Sequence, residues 1–511
     1  MSAVTEATPV RTSSTGLTRN LLYNLLGQIL PLALAAVSIP MLIHHLGSDR
    51  FGLLTIAWMV VGYFNLFDLG LGRALTKLVA DRIGLGRTKE IAQLVSTGLV
   101  LMVGLGIAGS VVVGVLTPEL VTVLKVPARF VAETRNAFYL LALSIPMVIL
   151  TTGLRGVLEA FQRFDITNAV RTPLGLWTFG GPLCVLPFSS RLDWIVLSLV
   201  IGRLVSTLVH AHYTVRQLEG RIELGMPDRV LCRELLSFGG WMTVSNVVSP
   251  IMVYMDRFFI GALLGTAAVA FYTTPYEVVF KLNIVSEGLF GVLFPIMASR
   301  LVVDRSQSGV LLTLGAKLIA ASLFPLALVI VAAAGPFLGV WVGPTFAEHS
   351  ALVMQLLAIG LYINGFSKVA FNLLQAMGRA DVTAKLHLIE LPCYVIALIA
   401  LTKYFGIVGA AAGWALRMML DAGLLWWMSR RVAHVPWRAI RELASVLFAT
   451  VASLLALVWV HNAVWRFSLG GLALGAFCLA FWFVVLNDDD RRVVIDLVAR
   501  GLMRGKQAPR A

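Results

Sequence analysis

Residues 73–116 read RALTKLVADRIGLGRTKEIAQLVSTGLVLMVGLGIAGSVVVGVL. The first part carries Arg73, Lys77, Arg82, Arg87 and Lys89, and the second, from Ile91 to Leu116, has no charged residue. About 20 apolar residues in a helix cross the hydrocarbon core of a bilayer. Residues 91–116 therefore read as a membrane span and the basic segment before them as a loop kept on one side. The alternation recurs over all 511 residues, with expected spans at 18–43, 51–68, 91–116, 136–157, 172–188, 193–214, 236–263, 267–297, 310–334, 350–373, 386–403, 407–428, 442–462 and 468–486. The 172–188 span is short and holds Pro173, Pro182 and Pro187, so a kink or break is expected there.

Composition agrees: 58% of residues are hydrophobic and 13% charged, and the mean hydropathy is +0.86, outside the soluble range. The net charge of +14 follows topology rather than nucleic-acid binding, because no basic block with interleaved aromatics occurs. Of the 41 Lys and Arg residues, 28 fall in the termini and alternate loops, 7 in the opposite loops and 6 inside spans. Basic residues stay on the cytoplasmic side, which places both termini there. The basic tail after Asp488-Asp489-Asp490 reads as an amphipathic helix on the membrane surface. The first span lacks a small-residue cleavage site and is expected to be retained. Cys184, Cys232, Cys393 and Cys478 share no metal-type spacing and are expected to fill gaps between packed helices.

An internal repeat is legible. Arg163-Phe164-Asp165-Ile166-Thr167 recurs as Arg379-Ala380-Asp381-Val382-Thr383, Pro118 as Pro336, and Leu46-Gly47 as Leu264-Gly265, at shifts of 216 to 218 residues. An even number of spans per repeat makes the halves parallel. The expected fold is an all-α integral membrane protein of about 14 transmembrane helices, two parallel six-helix repeats plus two extra C-terminal helices. The expected parts are a cytoplasmic tail (1–17), an N-terminal bundle (18–215), a cytoplasmic linker (216–235), a C-terminal bundle (236–430), helices 13 and 14 (431–487) and a basic tail (488–511). Such an architecture is that of a secondary transporter with its site between the halves. A phosphate loop, His-Glu-x-x-His and Cys-x-x-Cys are all missing, so neither an enzyme nor a metal or cofactor is expected.

Charges inside spans cost roughly 2.5–3.5 kcal/mol each at the centre, so each marks a candidate. Asp256 and Arg257 follow Ser245, Asn246 and Tyr254 in the seventh span; Glu277, Lys281, Asn283 and Glu287 lie in the eighth. Glu277 and Lys281, four apart, share a helix face. Intramembrane pairing and a cavity lining compete for this group, and its clustering in two consecutive helices favours the cavity. Arg417 and Asp421, also four apart, read as a helix-locking pair, and Arg203 reads similarly. Asn364, Lys368 and Asn372 form a polar stripe in span ten. Glu390 has no evident partner and is an ion-coupling candidate. Asn24, Gln28 and Asn65 are the polar intruders of the first two spans. The run Asp68-Leu69-Gly70-Leu71-Gly72-Arg73 reads as a tight helix exit rather than a phosphate site.

Leu46-Gly47 with Phe51-Gly52, Asp68-Leu69-Gly70-Leu71-Gly72-Arg73-Ala74, Gln162-Arg163-Phe164-Asp165, and Asp256-Arg257-Phe258-Phe259-Ile260-Gly261 with Tyr272 and Pro275 resemble bacterial polysaccharide-export flippases, from about residue 18 to 430. These belong to the multidrug/oligosaccharidyl-lipid/polysaccharide exporter superfamily. The resemblance implies two six-helix bundles around a central cavity lined by spans one, two, seven and eight. It also implies translocation of an undecaprenyl-diphosphate-linked oligosaccharide across the bacterial inner membrane for O-antigen or exopolysaccharide assembly. Membrane lipids, a polysaccharide polymerase and export machinery are the implied partners. Arg257 and Lys281 are then the candidate phosphate-binding cations, with Asn24, Gln28, Asn65 and Tyr254 as further cavity residues. Asp256, Glu277, Glu287 and Glu390 are the acidic candidates for ion coupling or charge pairing. Rival readings are a multidrug or cation antiporter, which would want unpaired acids in spans one and two, and a non-transporting scaffold of an envelope assembly complex. The opening motif usual in the lipid II flippase branch is absent.

Overall fold

The computed structural model describes residues 14–63, 70–220, 228–485 and 491, and some side chains within these helices, those of residues 14–29 and 237–251 among them, lie outside the description. The described residues form helices and no strand. In chain order the α-helices are α1 (Ser14–Tyr63), α2 (Leu71–Gly84), α3 (Thr88–Val123), α4 (Val131–Ala160), α5 (Phe164–Val185), α6 (Leu192–Gln217) and α7 (Arg229–Leu264). They continue with α8 (Thr266–Phe280), α9 (Asn283–Val303), α10 (Ser308–Trp341), α11 (Pro344–Ala376), α12 (Ala380–Val432), α13 (Trp437–Trp459) and α14 (Ala463–Ala480).

Ten helical stretches among the described residues are long and apolar enough to cross a membrane. Two of them carry two expected spans each. Helix α1 turns at Gly47 (φ 73°, ψ 169°) and α12 at Gly406 (φ 61°, ψ −146°). Both conformations are closed to a residue with a Cβ except at a cost, which is why glycine stands there. The helices over the fifth and seventh expected spans, α5 and α7, are not among the ten.

Two expectations are corrected. Of the kink or break expected in the fifth span, the break does not occur: α5 starts at Phe164 instead of residue 172 and runs through Pro173 and Pro182, with Pro187 beyond its end. The interruption lies in the eighth span, where α8 stops at Phe280 and α9 resumes at Asn283. The cysteines also do not fill the packed interior, for Cys184, Cys393 and Cys478 are exposed and Cys232 is half-buried. A bundle surface facing lipid tails is as apolar a setting for a thiol as the interior.

The repeat is written into the backbone. At the end of α4 the amides of Gln162 and Arg163 donate to the carbonyls of Glu159 and Leu158, and at the end of α11 those of Gly378 and Arg379 donate to Gln375 and Leu374. Gln162 and Gly378 both take the left-handed conformation, with φ of 58° and 75°. In the next turn Arg163 clasps Asp165 at 3.0 and 3.1 Å, and Arg379 clasps Asp381 at 3.0 and 3.3 Å. The Arg163 hydrogen bond holds the Asp165 carboxyl below its ordinary range.

The chain divides into two compact units, one of residues 1–254 with 265–270 and one of 255–264 with 271–511. In the first, α4 is the central helix, packed on α3, α6 and α2. In the second, α11 takes that place between α10 and α12, and α13 and α14 lie on α10. Gly106 and Pro146 show why α3 and α4 approach so closely, since a Cβ on Gly106 would come within 2.6 Å of the Pro146 Cα. Elsewhere α3 exposes Ile107, Val111, Val112, Val115 and Leu116. A contiguous apolar face of that kind belongs against lipid, not water.

Candidate functional site

Within the second unit, residues of α7 and α8 bring the expected charges together. Tyr272, Tyr276 and Phe280 recur every fourth residue of α8 and stack along one face, with centroids 6.1 and 3.7 Å apart. This aromatic ridge faces the end of α7. There Asp256 is fully buried and accepts hydrogen bonds from the Tyr272 hydroxyl at 2.7 Å and from the Arg257 amide at 2.8 Å. Arg257 is only 1% exposed. Its guanidinium lies 4.1 Å from the centroid of the Tyr276 ring, 3.7 Å from Asp256 and 3.8 Å from Glu277. Glu277 in turn stands 3.7 Å from Lys281 Nζ.

The four charges form a chain running from a buried end to an open one. Side-chain exposure is 0% at Asp256 and 2% at Arg257, then 38% at Glu277 and 45% at Lys281. Arg257 thus lies at ion-pair distance from two carboxylates and against an aromatic face, and Lys281 is the more exposed cation. The formal charges cancel, which lets the group stay in an apolar bundle.

Lys281 stands where the helix is interrupted. The amides of Lys281, Leu282, Ile284 and Val285 each donate to the carbonyl three residues back, to Val278, Val279, Lys281 and Leu282. Asn283 opens α9, and its side-chain oxygen accepts from Lys368 Nζ of α11 at 2.8 Å. Glu287, one turn on, is exposed. Irregular backbone and exposed charge at membrane depth are tolerated where they line water or protein, not lipid. The exposed stretch bearing Lys281 and Glu287 therefore reads as a wetted one.

Tyr254 is half-buried near the end of α7. Asn24 and Gln28 lie on α1, but their side chains, like those of Ser245 and Asn246, are outside the described residues, as are Asn65 and Asp68. Gly70, from the glycine-rich run, is left-handed and precedes α2 (φ 72°, ψ 5°). In the C-terminal half of the second unit, Asp421 is held by the Ser367 hydroxyl and lies 3.6 Å from His387 Nε2, while Arg417 sits over the Tyr394 ring at 5.1 Å. Sequence reasoning missed the roles of Tyr272 and Tyr276, though their four-residue spacing was in view. It also missed the Lys368 to Asn283 contact, which no local pattern signals.

Comparison with known proteins bears on the whole chain. The sequence profile of a family described as "polysaccharide biosynthesis protein" matches residues 17–301. A candidate O-antigen transporter of Shigella flexneri is 31% identical over 421 residues, covering 82% of this chain and 98% of that one. An uncharacterized membrane protein of Bacillus subtilis, EpsK, is 21% identical over 348 residues, 66% of this chain and 67% of its own length. Among solved structures, the lipid II flippase MurJ in an inward closed conformation superposes with a TM-score of 0.67 at 13% identity, over 90% of this chain and 99% of that one. An inward-facing multidrug transporter of the MATE family superposes with a TM-score of 0.63 at 14% identity, over 81% and 94%. At those identities the two structures share the fold with this chain.

Proposed function

The chain belongs to the polysaccharide biosynthesis protein family, and we propose that it is a flippase moving an undecaprenyl-diphosphate-linked oligosaccharide across the bacterial inner membrane. The observation that carries this reading is the end-to-end likeness to the Shigella flexneri protein, which leaves almost none of that protein unmatched. The reading makes the chain a transporter without catalytic chemistry. The excess of Lys and Arg in alternate loops and both termini sets those parts in the cytoplasm.

The chemistry of such a substrate fits the charged chain of the second unit. A diphosphate and its sugars cannot cross hydrocarbon unaided, and fixed cations with hydrogen-bond donors replace the water they lose. Lys281 meets the phosphates from the interruption that follows α8, and Arg257 is the positioning residue that holds Glu277 and the Tyr276 ring behind it. Arrival of the diphosphate draws Lys281 away from Glu277, to which it is bound at the long distance of 3.7 Å. A multidrug antiporter shares the fold but gains no further support from any described side chain.

The test is deletion of the chain in its native cell, followed by extraction of lipid-linked sugars and assay of surface polysaccharide. Diphosphate-linked oligosaccharide should accumulate and surface polymer should be lost, both reversed by the wild-type chain. Normal surface polymer with altered sensitivity to cationic drugs would move the assignment to the antiporter.

A further inference from the structure

Away from that network, the second unit buries acids that the proposed transport does not use. The two arms of α12 fold back on each other at Gly406, and a Cβ on Gly409 would lie 2.0 Å from the Leu401 carbonyl oxygen. His387 and Glu390, three apart on the first arm, are thereby brought against Asp421 on the second. One ligand atom from each lies within 4.8 Å of the others. Helix α11 closes the third side: Ser367 donates to Asp421 Oδ2, and Phe371 stacks parallel to the His387 ring at 6.0 Å. Glu390 and Asp421 are 6% and 5% exposed. Neither oxygen of Glu390, nor Asp421 Oδ1, has a hydrogen-bond donor among the described residues.

Two buried carboxylates facing one another repel, and a buried charge persists where it is paired or bound to a metal. The nearby cation of the second arm, Arg417, lies over the Tyr394 ring and offsets part of that repulsion through its charge. An imidazole and a carboxylate from one arm and a carboxylate from the other form a donor set suited to a divalent ion such as Zn²⁺ or Mn²⁺. Metal–ligand bonds of about 2.0–2.2 Å in tetrahedral geometry set donor atoms roughly 3.3–3.6 Å apart, so separations of up to 4.8 Å would have to shorten by as much as about 1–1.5 Å. Phe371 holds the imidazole plane, and Ser367 fixes one oxygen of Asp421 so that the other points inward. Orienting partners of this kind accompany ligated His and carboxylate groups.

We propose that His387, Glu390 and Asp421 form a binding site for one divalent metal ion, which ties the two arms of α12 to each other. No metal motif signals it in the sequence, because Asp421 arrives only through the fold at Gly406.

The experiment uses the purified full-length chain in detergent, stripped with chelator and titrated with Zn²⁺ and with Mn²⁺ by calorimetry and bound-metal analysis. The expected result is one ion per chain, with affinity falling at least ~10-fold in Glu390→Gln and in His387→Gln and unchanged in His349→Ala. The His387→Gln variant, altering a side chain that is 20% exposed, keeps the test open if Glu390→Gln does not fold. The proposal is overturned if the stripped chain takes up no ion. It is also overturned if both variants bind as the wild type does, or if Glu390 gives a protonated-carboxyl infrared band in the metal-saturated protein.

Discussion

Gly52 shows how a single residue can be dictated by packing. A Cβ there would lie 1.9 Å from the Thr266 carbonyl oxygen, and Thr266 is held by its hydroxyl to Asp49 at 2.8 Å. Gly52→Ala must therefore displace backbone, and overpacking of this kind costs about 1–3 kcal/mol; the apparent Tm in detergent should fall, and an unchanged Tm would mean the approach is looser. Arg257 and Lys281 should separate by readout. Arg257→Ala leaves Asp256 as an uncompensated buried charge, a loss of roughly 3–5 kcal/mol, so the chain's abundance in the membrane should drop. Lys281→Ala should leave abundance intact and lower export at least ~10-fold, the equivalent of about 1.4 kcal/mol. Equal abundance of the two variants would place Arg257 in an exposed role instead. Tyr272→Phe removes the hydroxyl that serves Asp256, worth about 1–3 kcal/mol when a buried acceptor is left unmet, and thermal unfolding should register it.

At the scale of elements, the interruption between α8 and α9 is the feature on which the proposed site depends. In a chain lacking its four native cysteines, cysteine at Lys281 or Glu287 should react with a membrane-impermeant maleimide. Cysteine at Val292, 64% exposed on the same helix, should react only with a lipid-soluble reagent. Reversed labelling would put lipid on the charged face. The elements were legible unevenly in the sequence. The apolar runs and basic gaps announced the spans, and Arg163 with Asp165 and Arg379 with Asp381 announced the repeat, because those signals are local. The break at Lys281 and Leu282 was not, since neither residue is a helix breaker and Pro275 stays inside α8. The prolines of α5 drew the expectation of a break to the wrong helix. Asp256, Arg257, Glu277 and Lys281 stood out because charge in a span is costly. The grouping of His387, Glu390 and Asp421 could not, because it depends on how α12 folds at Gly406.

For the whole molecule, the family assignment, the fold shared with the lipid II flippase and multidrug transporter structures and the charged chain ending at Lys281 support one reading. In the proposed orientation the 28 basic residues of the termini and alternate loops face the cytoplasm. Protease or tag accessibility in spheroplasts should accordingly show both ends protected from outside. The central claim is movement of a lipid-linked diphosphate sugar, and proteoliposomes test it most directly. The purified chain is reconstituted with a fluorescent undecaprenyl-diphosphate-linked oligosaccharide, and a membrane-impermeant quencher reports the fraction in the outer leaflet. Wild-type protein should make nearly the whole pool accessible with time, while Lys281→Ala vesicles should stay near the half that faces outward at the start. Accessibility that stays at half with the wild-type chain, under imposed ion gradients of either direction, would contradict that claim.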